Sequence, residues 1–254
     1  MLNEERKQKI LEALASRGRV LSSELVQDLR VSEDTIRRDL KDLADAGLVT
    51  RVHGGALPVS KVSFSYTKRQ NEAVGEKEAI ARRAAGQVND GQVIFIDGGT
   101  TTAMIAAFLP HSLRATFITY SLPVAIALTE STDSNVHLLG GRVVKELLLT
   151  MSPSILEEIA RVQADLALVS AESIHDEYGA TVSHPDDAAI KRAFINQAGE
   201  SIILAGSEKF GKASPYRIAR LNEVSCIITD SGIEKSILER CRAAGAQLTV
   251  ASGK

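Results

Sequence analysis

Two clusters of residues in this chain have types and spacings suited to binding anions. The first is Ser32-Glu33-Asp34-Thr35-Ile36-Arg37-Arg38-Asp39-Leu40. Ser32 suits an N-cap, its hydroxyl placed to accept from a free amide of the first helical turn. Ile36, Leu40 and Leu43 recur at four and three residues, so they share one helical face. Ser32, Thr35 and Arg38 fall on another face, flanked by Arg37 and Lys41. Outward hydroxyls and guanidinium groups suit a DNA groove, and inward aliphatics suit a core. The competing reading is a solvated helix on which Arg38 pairs with Asp34, worth only about 0.3–0.5 kcal/mol. The second cluster is Asp97-Gly98-Gly99-Thr100-Thr101-Thr102, where a strand-like run passes into a helical one. Its glycines let backbone approach an anion, and a helix start and threonine hydroxyls offer donors. A phosphate or carboxylate fits there. So does a plain turn in which Thr100 only caps.

The elements that must position the first cluster are short helices. Residues 3–17 carry Ile10, Leu11 and Leu14 on one face, with Gly18 as the expected C-terminal cap. Leu21, Leu25 and Leu29 stripe a second helix from Ser22 or Ser23 to about Leu29. Arg30-Val31 connects it tightly to Ser32, which makes a helix-turn-helix. Gly47 ends the last helix, residues 48–53 alternate as a strand, and Gly54-Gly55 turn. This predicts a wing in which Arg51 and His53 reach phosphate. An ordinary surface histidine is the alternative for His53.

The second cluster belongs to a longer region. Residues 58–74 read as a linker without a helical stripe, pinned to a domain by Phe64 and Tyr66. From Gly75 onward, apolar runs at 92–97, 115–119, 136–139, 166–170, 201–205, 226–229 and 247–251 read as buried strands. Helical stretches at 76–88, 101–109, 121–130, 153–162, 185–198 and 233–244 lie between most of them. That alternation predicts an α/β domain on a mostly parallel sheet, with ligands beyond the carboxyl ends of its strands.

Composition bounds the function. The 254 residues allow two domains, and 44% hydrophobic content describes a soluble globular chain. No apolar run of about 18 residues predicts a membrane span, and the start lacks a signal-peptide pattern. A cytoplasmic location is expected. Two cysteines and five scattered histidines suggest core thiols and neither a metal nor a cofactor. The net charge of −2 weakly opposes nucleic-acid binding. Residues 1–57 are balanced, with ten basic and ten acidic side chains. Specificity must then come from local placement, and oligomerisation would multiply weak contacts.

Residues 1–57 resemble the N-terminal domain of the DeoR family of bacterial transcriptional regulators. The resemblance rests on Val31-Ser32, Thr35 to Leu40, Gly47-Leu48 and Arg51-Val52-His53-Gly54-Gly55-Ala56. It implies a winged helix-turn-helix whose Ser32, Thr35, Arg37 and Arg38 enter the major groove. Lys41 and Arg51 would contact phosphate, with Ser22 and His53 alongside. Residues 75–254 resemble the family's sensor domain, similar in fold to ribose-5-phosphate isomerase. The carrying pieces are Glu76-Lys77, Asp97 to Thr101, Leu138 to Gly141, Asp165-Leu166-Ala167, Lys191-Arg192, Ser207 to Gly211 and Ile228-Thr229-Asp230. This implies a phosphorylated-sugar effector held by Asp97, Gly98, Gly99, Thr100 and Thr101, with countercharge from Lys209 and Lys191. The family's usual Thr-Asn is here Thr119-Tyr120, which brings a ring near the pocket. Gly206 stands where the family often has aspartate, and Val169-Ser170-Ala171-Glu172 replaces glycines usual in that loop.

The expected function is a sequence-specific repressor of a carbohydrate-catabolism operon, relieved by such a metabolite. Its partners would be double-stranded operator DNA and further copies of itself. No complete catalytic constellation is visible, so an isomerase acting through Asp97 or Glu172 is the weaker reading. A domain that only assembles is the other alternative.

Overall fold

The computed structural model describes residues 2–17, 19–58 and 65–252. Its first unit runs α1 (Asn3–Arg17), β1 (Val20–Leu21), α2 (Ser22–Leu29), α3 (Glu33–Asp45), β2 (Val49–Val52) and β3 (Gly55–Pro58). The apolar stripes meet in one core of Ile10, Leu14, Leu25, Ile36, Leu40 and Leu43. Arg30 adopts the left-handed region (φ 53°) and closes the turn into α3. Gly54 (φ 80°) reverses the chain between β2 and β3, a conformation that glycine takes without a Cβ penalty. The wing sheet has the order β1-β3-β2. Two-residue β1 was not foreseen, because two residues carry no period. The predicted cap Gly18 and the predicted pin Phe64 lie outside the described residues.

Asp39 is charged yet buried on the inner face of α3. Arg6 of α1 answers it with Nε to Oδ2 and with Nη2 to Oδ1 at 2.9 Å. Hydrogen bonds to charged groups contribute about 1.5–3 kcal/mol. Asp39→Ala is therefore expected to lower the stability of the DNA-binding unit by about that amount. An unchanged denaturation midpoint would show that the pair contributes nothing.

Residues 58–74 are not a featureless linker. α4 (Tyr66–Gln70) lies within them, and α5 (Val74–Ala85) begins there. Tyr66 is buried and its N–H donates to the Glu146 carbonyl at 2.9 Å. A five-residue helix is too short for a legible stripe. The chain continues as β4 (Val93–Ile96), α6 (Thr100–Ile105), β5 (Thr116–Thr119), α7 (Leu122–Ser131) and β6 (Asn135–Leu138). A hairpin, β7 (Arg142–Val144) and β8 (Leu149–Met151), leads to α8 (Ser154–Ile159) and β9 (Ala164–Ser170). Then come β10 (Ser173–His175), β11 (Gly179–Val182), α9 (Pro185–Asn196) and β12 (Ala198–Leu204). The last elements are β13 (Tyr216–Ala219), β14 (Cys226–Asp230), α10 (Lys235–Ala243) and β15 (Leu248–Ala251).

The seven predicted strands form one sheet, ordered β15-β14-β12-β9-β4-β5-β6, and every pairing in it is parallel. Ile80, Ile105 and Val124 of α5, α6 and α7 pack in one core cluster. Ile155, Phe194 and Cys241 of α8, α9 and α10 pack in the other. Chain order runs from β4 outward to β6, then returns to β9 and runs outward the other way. The reversal falls between β4 and β9. Crossovers on either side diverge there and leave a crevice beyond the strand ends.

Candidate functional site

On α3 the Ser32 side chain accepts from the Thr35 amide at 3.3 Å, and the two hydroxyls share a hydrogen bond at 2.8 Å. Ser32 is exposed and Thr35 half-buried. The anticipated Arg38–Asp34 pair is not formed; Arg37 instead bonds Glu33 at 2.8 Å. Arg38, Lys41, Arg51 and His53 are exposed, with no ion pair among the described residues. Ser22 is half-buried at the start of α2, and its N–H donates to the Gly54 carbonyl at 2.7 Å.

The balanced charge count conceals an uneven arrangement. Asp39 and Asp42 of α3 are matched by Arg6 and Lys7 of α1, the latter at 2.8 Å. Asp28 of α2 is matched by Arg17 at 2.9 Å. These pairs neutralise acids against the body of the unit. Arg38, Lys41 and Arg51 stay exposed and outside any ion pair among the described residues, as does Asp34 one turn before Arg38.

A cavity of about 210 Å³ sits at the switch point between β4 and β9. Gly98, Gly99, Thr100 and Thr101 line it from the end of β4, and Ser170, Ala171 and Glu172 from the end of β9. Gly98 is required by close approach: a Cβ there would collide with the Leu149 side chain. Lys191 and Lys209 also line the wall, as do Arg69, Lys77 and Lys212, which the sequence reading did not assign to it. Burial pushes the Lys209 amine below its usual range; Glu208 opposes this, while Arg69, Lys77 and Lys191 add to it. Burial also depresses Lys77.

Two expected site residues are not in the wall. Asp97 is fully buried, accepting from the Ser170 amide at 2.7 Å, from its hydroxyl at 2.9 Å, and from Lys191. A buried carboxylate needs such partners, and they tie the ends of β4 and β9 together. Tyr120 is likewise fully buried, its ring edge-on to Phe194 at 5.6 Å. Its hydroxyl donates at 2.5 Å to Asp187, which does line the cavity. Burial first, then Asp187 and Asp97, hold the Tyr120 phenol well above its usual range. The ring is thus core rather than pocket, and its polar end supports the wall from behind.

Lys191 is the hub. Its Nζ reaches Asp97, the Ser170 carbonyl at 3.1 Å and Asp187 at 3.7 Å. Burial alone would depress its pKa, but Asp187 and Asp97 outweigh that and raise it. The i,i+4 spacing of Asp187 and Lys191 on a predicted helix was a legible signal for this pair. A side chain at Gly206 would meet only the carboxylate end of the exposed Glu208 side chain, which can swing aside. Glu208 supplies a carboxylate in the space that an aspartate at 206 would occupy.

A winged helix with free basic groups, joined to a parallel α/β domain with a charged cavity at its switch point, defines a DNA-binding regulator with a ligand-binding half. Residues 6–62 match the profile of the DeoR-like helix-turn-helix domain and residues 72–231 that of the DeoR C terminal sensor domain. The chain belongs to the DeoR family and is a sequence-specific DNA-binding transcriptional regulator. The HTH-type transcriptional regulator GlpR of Haloferax volcanii is 35% identical over all of this chain and 99% of its own. The glycerol-3-phosphate regulon repressor of Escherichia coli is 30% identical over 91% of this chain and 92% of its own. Ribose 5 phosphate isomerase A of Neisseria gonorrhoeae aligns at 13% identity over 53% of this chain and 52% of its own, with a TM-score of 0.39. That score is too low to carry an argument, and the parallel sheet carries the fold assignment by itself.

Proposed function

We propose that this regulator represses a carbohydrate-catabolism operon and releases it when a small phosphorylated sugar fills the switch-point cavity. The observation that carries the reading is the gathering of Arg69, Lys77, Lys209 and Lys212 around Gly98-Gly99 and the Thr100 and Thr101 hydroxyls. Cations and backbone amides suit a phosphate, and Glu172 and Asp187 in the same wall suit sugar hydroxyls. The repressor title of the Escherichia coli relative supports the sign of the response. A thermal-shift panel of phosphosugars, sugar acids and polyols tests the ligand class. A ligand at a hundredfold its Kd stabilises the fold by about 2.7 kcal/mol. If no phosphosugar shifts the melting temperature, the reading fails.

The wider reading is a cytoplasmic homo-oligomer without enzymatic activity. Among the described residues no helix is long and apolar enough to cross a membrane. We take residues 1–57 as the DNA-binding unit and 75–254 as the sensor, with 58–74 between them. Paired copies would place two α3 helices on successive half-sites, and sedimentation analysis measures the assembly. Asp97 lies outside the cavity wall, its Oδ2 held by Ser170 and Lys191 and its Oδ1 buried, which supports binding over catalysis. Lys41→Ala is expected to weaken all duplexes alike and to reduce the slope of log K against log salt by about one. An effect confined to one operator would contradict a phosphate contact.

A further inference from the structure

Besides Lys191 of α9, the cavity's cations lie on two elements outside the seven-stranded sheet. Arg69 is on α4 and Lys77 near the start of α5, while Lys209 and Lys212 sit on the segment 207–212 after β12. Lys77 donates its Nζ to the Arg69 carbonyl, so these two are held as one unit. The Arg69 Nε is buried with no hydrogen-bond partner. Glu72, Glu172, Asp187 and Glu208 answer four of the five positive charges that Arg69, Lys77, Lys191, Lys209 and Lys212 bring to the wall.

The segment 207–212 is the anchored side, held by buried Phe210 and by the Ser207 N–H donating to Asp230 at 2.6 Å, and α4 is the less anchored side. α4 is held at its first residue by buried Tyr66, whereas Thr67, Lys68 and Gln70 are exposed. Ala73, between α4 and α5, lies in the left-handed region (φ 47°) and lines the cavity. A non-glycine residue there stores strain of order 1 kcal/mol. Both elements also lead to the winged helix. α4 is the first helix after β3. Lys212 lines a second cavity of about 740 Å³ together with Leu14 and Arg17 of α1, Arg19 and Pro58.

We propose that α4 with the start of α5, and the segment 207–212, are two jaws of an electrostatic clamp that an anion draws together, and that jaw closure carries the binding event to the winged helix. Like charges across the cavity oppose closure, and an anion between them reverses the sign of that force. The proposal rests on the anionic-effector reading for its ligand but makes a ligand-free prediction of its own.

That prediction uses charge reversal in the full-length protein. Arg69→Glu places an anion on one jaw facing Lys209 and Lys212, and Lys212→Glu does the same from the other. Each is expected to shift ligand-free operator affinity by about tenfold, within the range of measured couplings. Each should also protect residues 66–77 and 207–212 from amide exchange. Arg69→Gln removes repulsion without adding attraction, and is expected to shift ligand-free affinity and exchange in the same direction by less than either reversal. Thermal unfolding checks that all three fold. Equal affinity and exchange in Arg69→Glu, Lys212→Glu and Arg69→Gln would overturn the clamp. If no phosphosugar of the thermal-shift panel moves the wild-type melting temperature while the reversals still close the jaws, the clamp stands and the phosphosugar reading falls.

Discussion

Arg38→Ala is expected to weaken operator binding by about tenfold to a hundredfold per DNA-binding unit, since an arginine reading a base edge is worth about 1–3 kcal/mol. Arg38 is exposed, unpaired among the described residues and on the outer side of α3, three residues before the exposed Lys41. Nothing must be broken to present it to DNA. Its neighbour Arg37 differs, because the bond to Glu33 at 2.8 Å must be exchanged for any DNA contact. Arg37→Ala is accordingly the milder change. Arg38→Ala should leave the melting temperature and oligomeric state as they are, because the side chain is exposed and enters no ion pair among the described residues. It should also relax sequence preference at one position of each half-site, which a contact to phosphate would not do. Fluorescence anisotropy against the operator and single-base variants measures both effects. Unchanged affinity would remove Arg38 from the interface.

How far the sequence carried can be seen residue by residue. The period of Ile36, Leu40 and Leu43 was legible because helical spacing and burial are the same fact seen from two sides. All seven strands were legible because strands buried on both faces are continuous apolar runs. The short elements α4 and β1 were not, since neither spans enough residues to show a period. The ten-to-ten charge count of the N-terminal unit was correct, but its partition was not visible. Only folding shows that Arg6 and Lys7 meet Asp39 and Asp42 and leave Arg38 free. The same holds at the cavity. Gly98 to Thr101 announced themselves by glycine and threonine chemistry next to a strand end. Their neighbours Ser170 and Glu172 are about seventy residues away and arrive only because the strand order reverses between β4 and β9. Tyr120 misled for a related reason. Its place after β5 is near the cavity in sequence logic, but the side chain turns into the Phe194 core and offers only its hydroxyl to Asp187.

Lys191→Met is expected to be the most destabilising single change in the sensor half, because it leaves Asp97 and Asp187 buried without a cation. Breaking a buried pair by removing one partner costs about 3–5 kcal/mol, about 10 °C in melting temperature for a domain of this size. Methionine fills much of the lysine volume, so the loss reads charge rather than packing. The pH dependence separates the two further. Burial already raises the Asp187 pKa, against the opposing effects of Lys191 and of the Tyr120 hydroxyl. Without Lys191 it rises further. A carboxyl whose folded pKa exceeds its unfolded value binds its proton more tightly when folded. Its contribution is therefore fully present below the unfolded pKa and is lost as pH rises through the folded one. The Lys191→Met deficit should shrink as pH falls from neutral toward the carboxylate range, whereas a cavity defect would not respond. Adding Asp97→Asn and Asp187→Asn to Lys191→Met should restore most of the stability at neutral pH, since neutral amides need no counterion. A deficit independent of pH and not recovered in the triple variant would mean that Lys191 acts by packing. The ends of β4 and β9 would then owe their alignment to Ser170 and Asp97 alone.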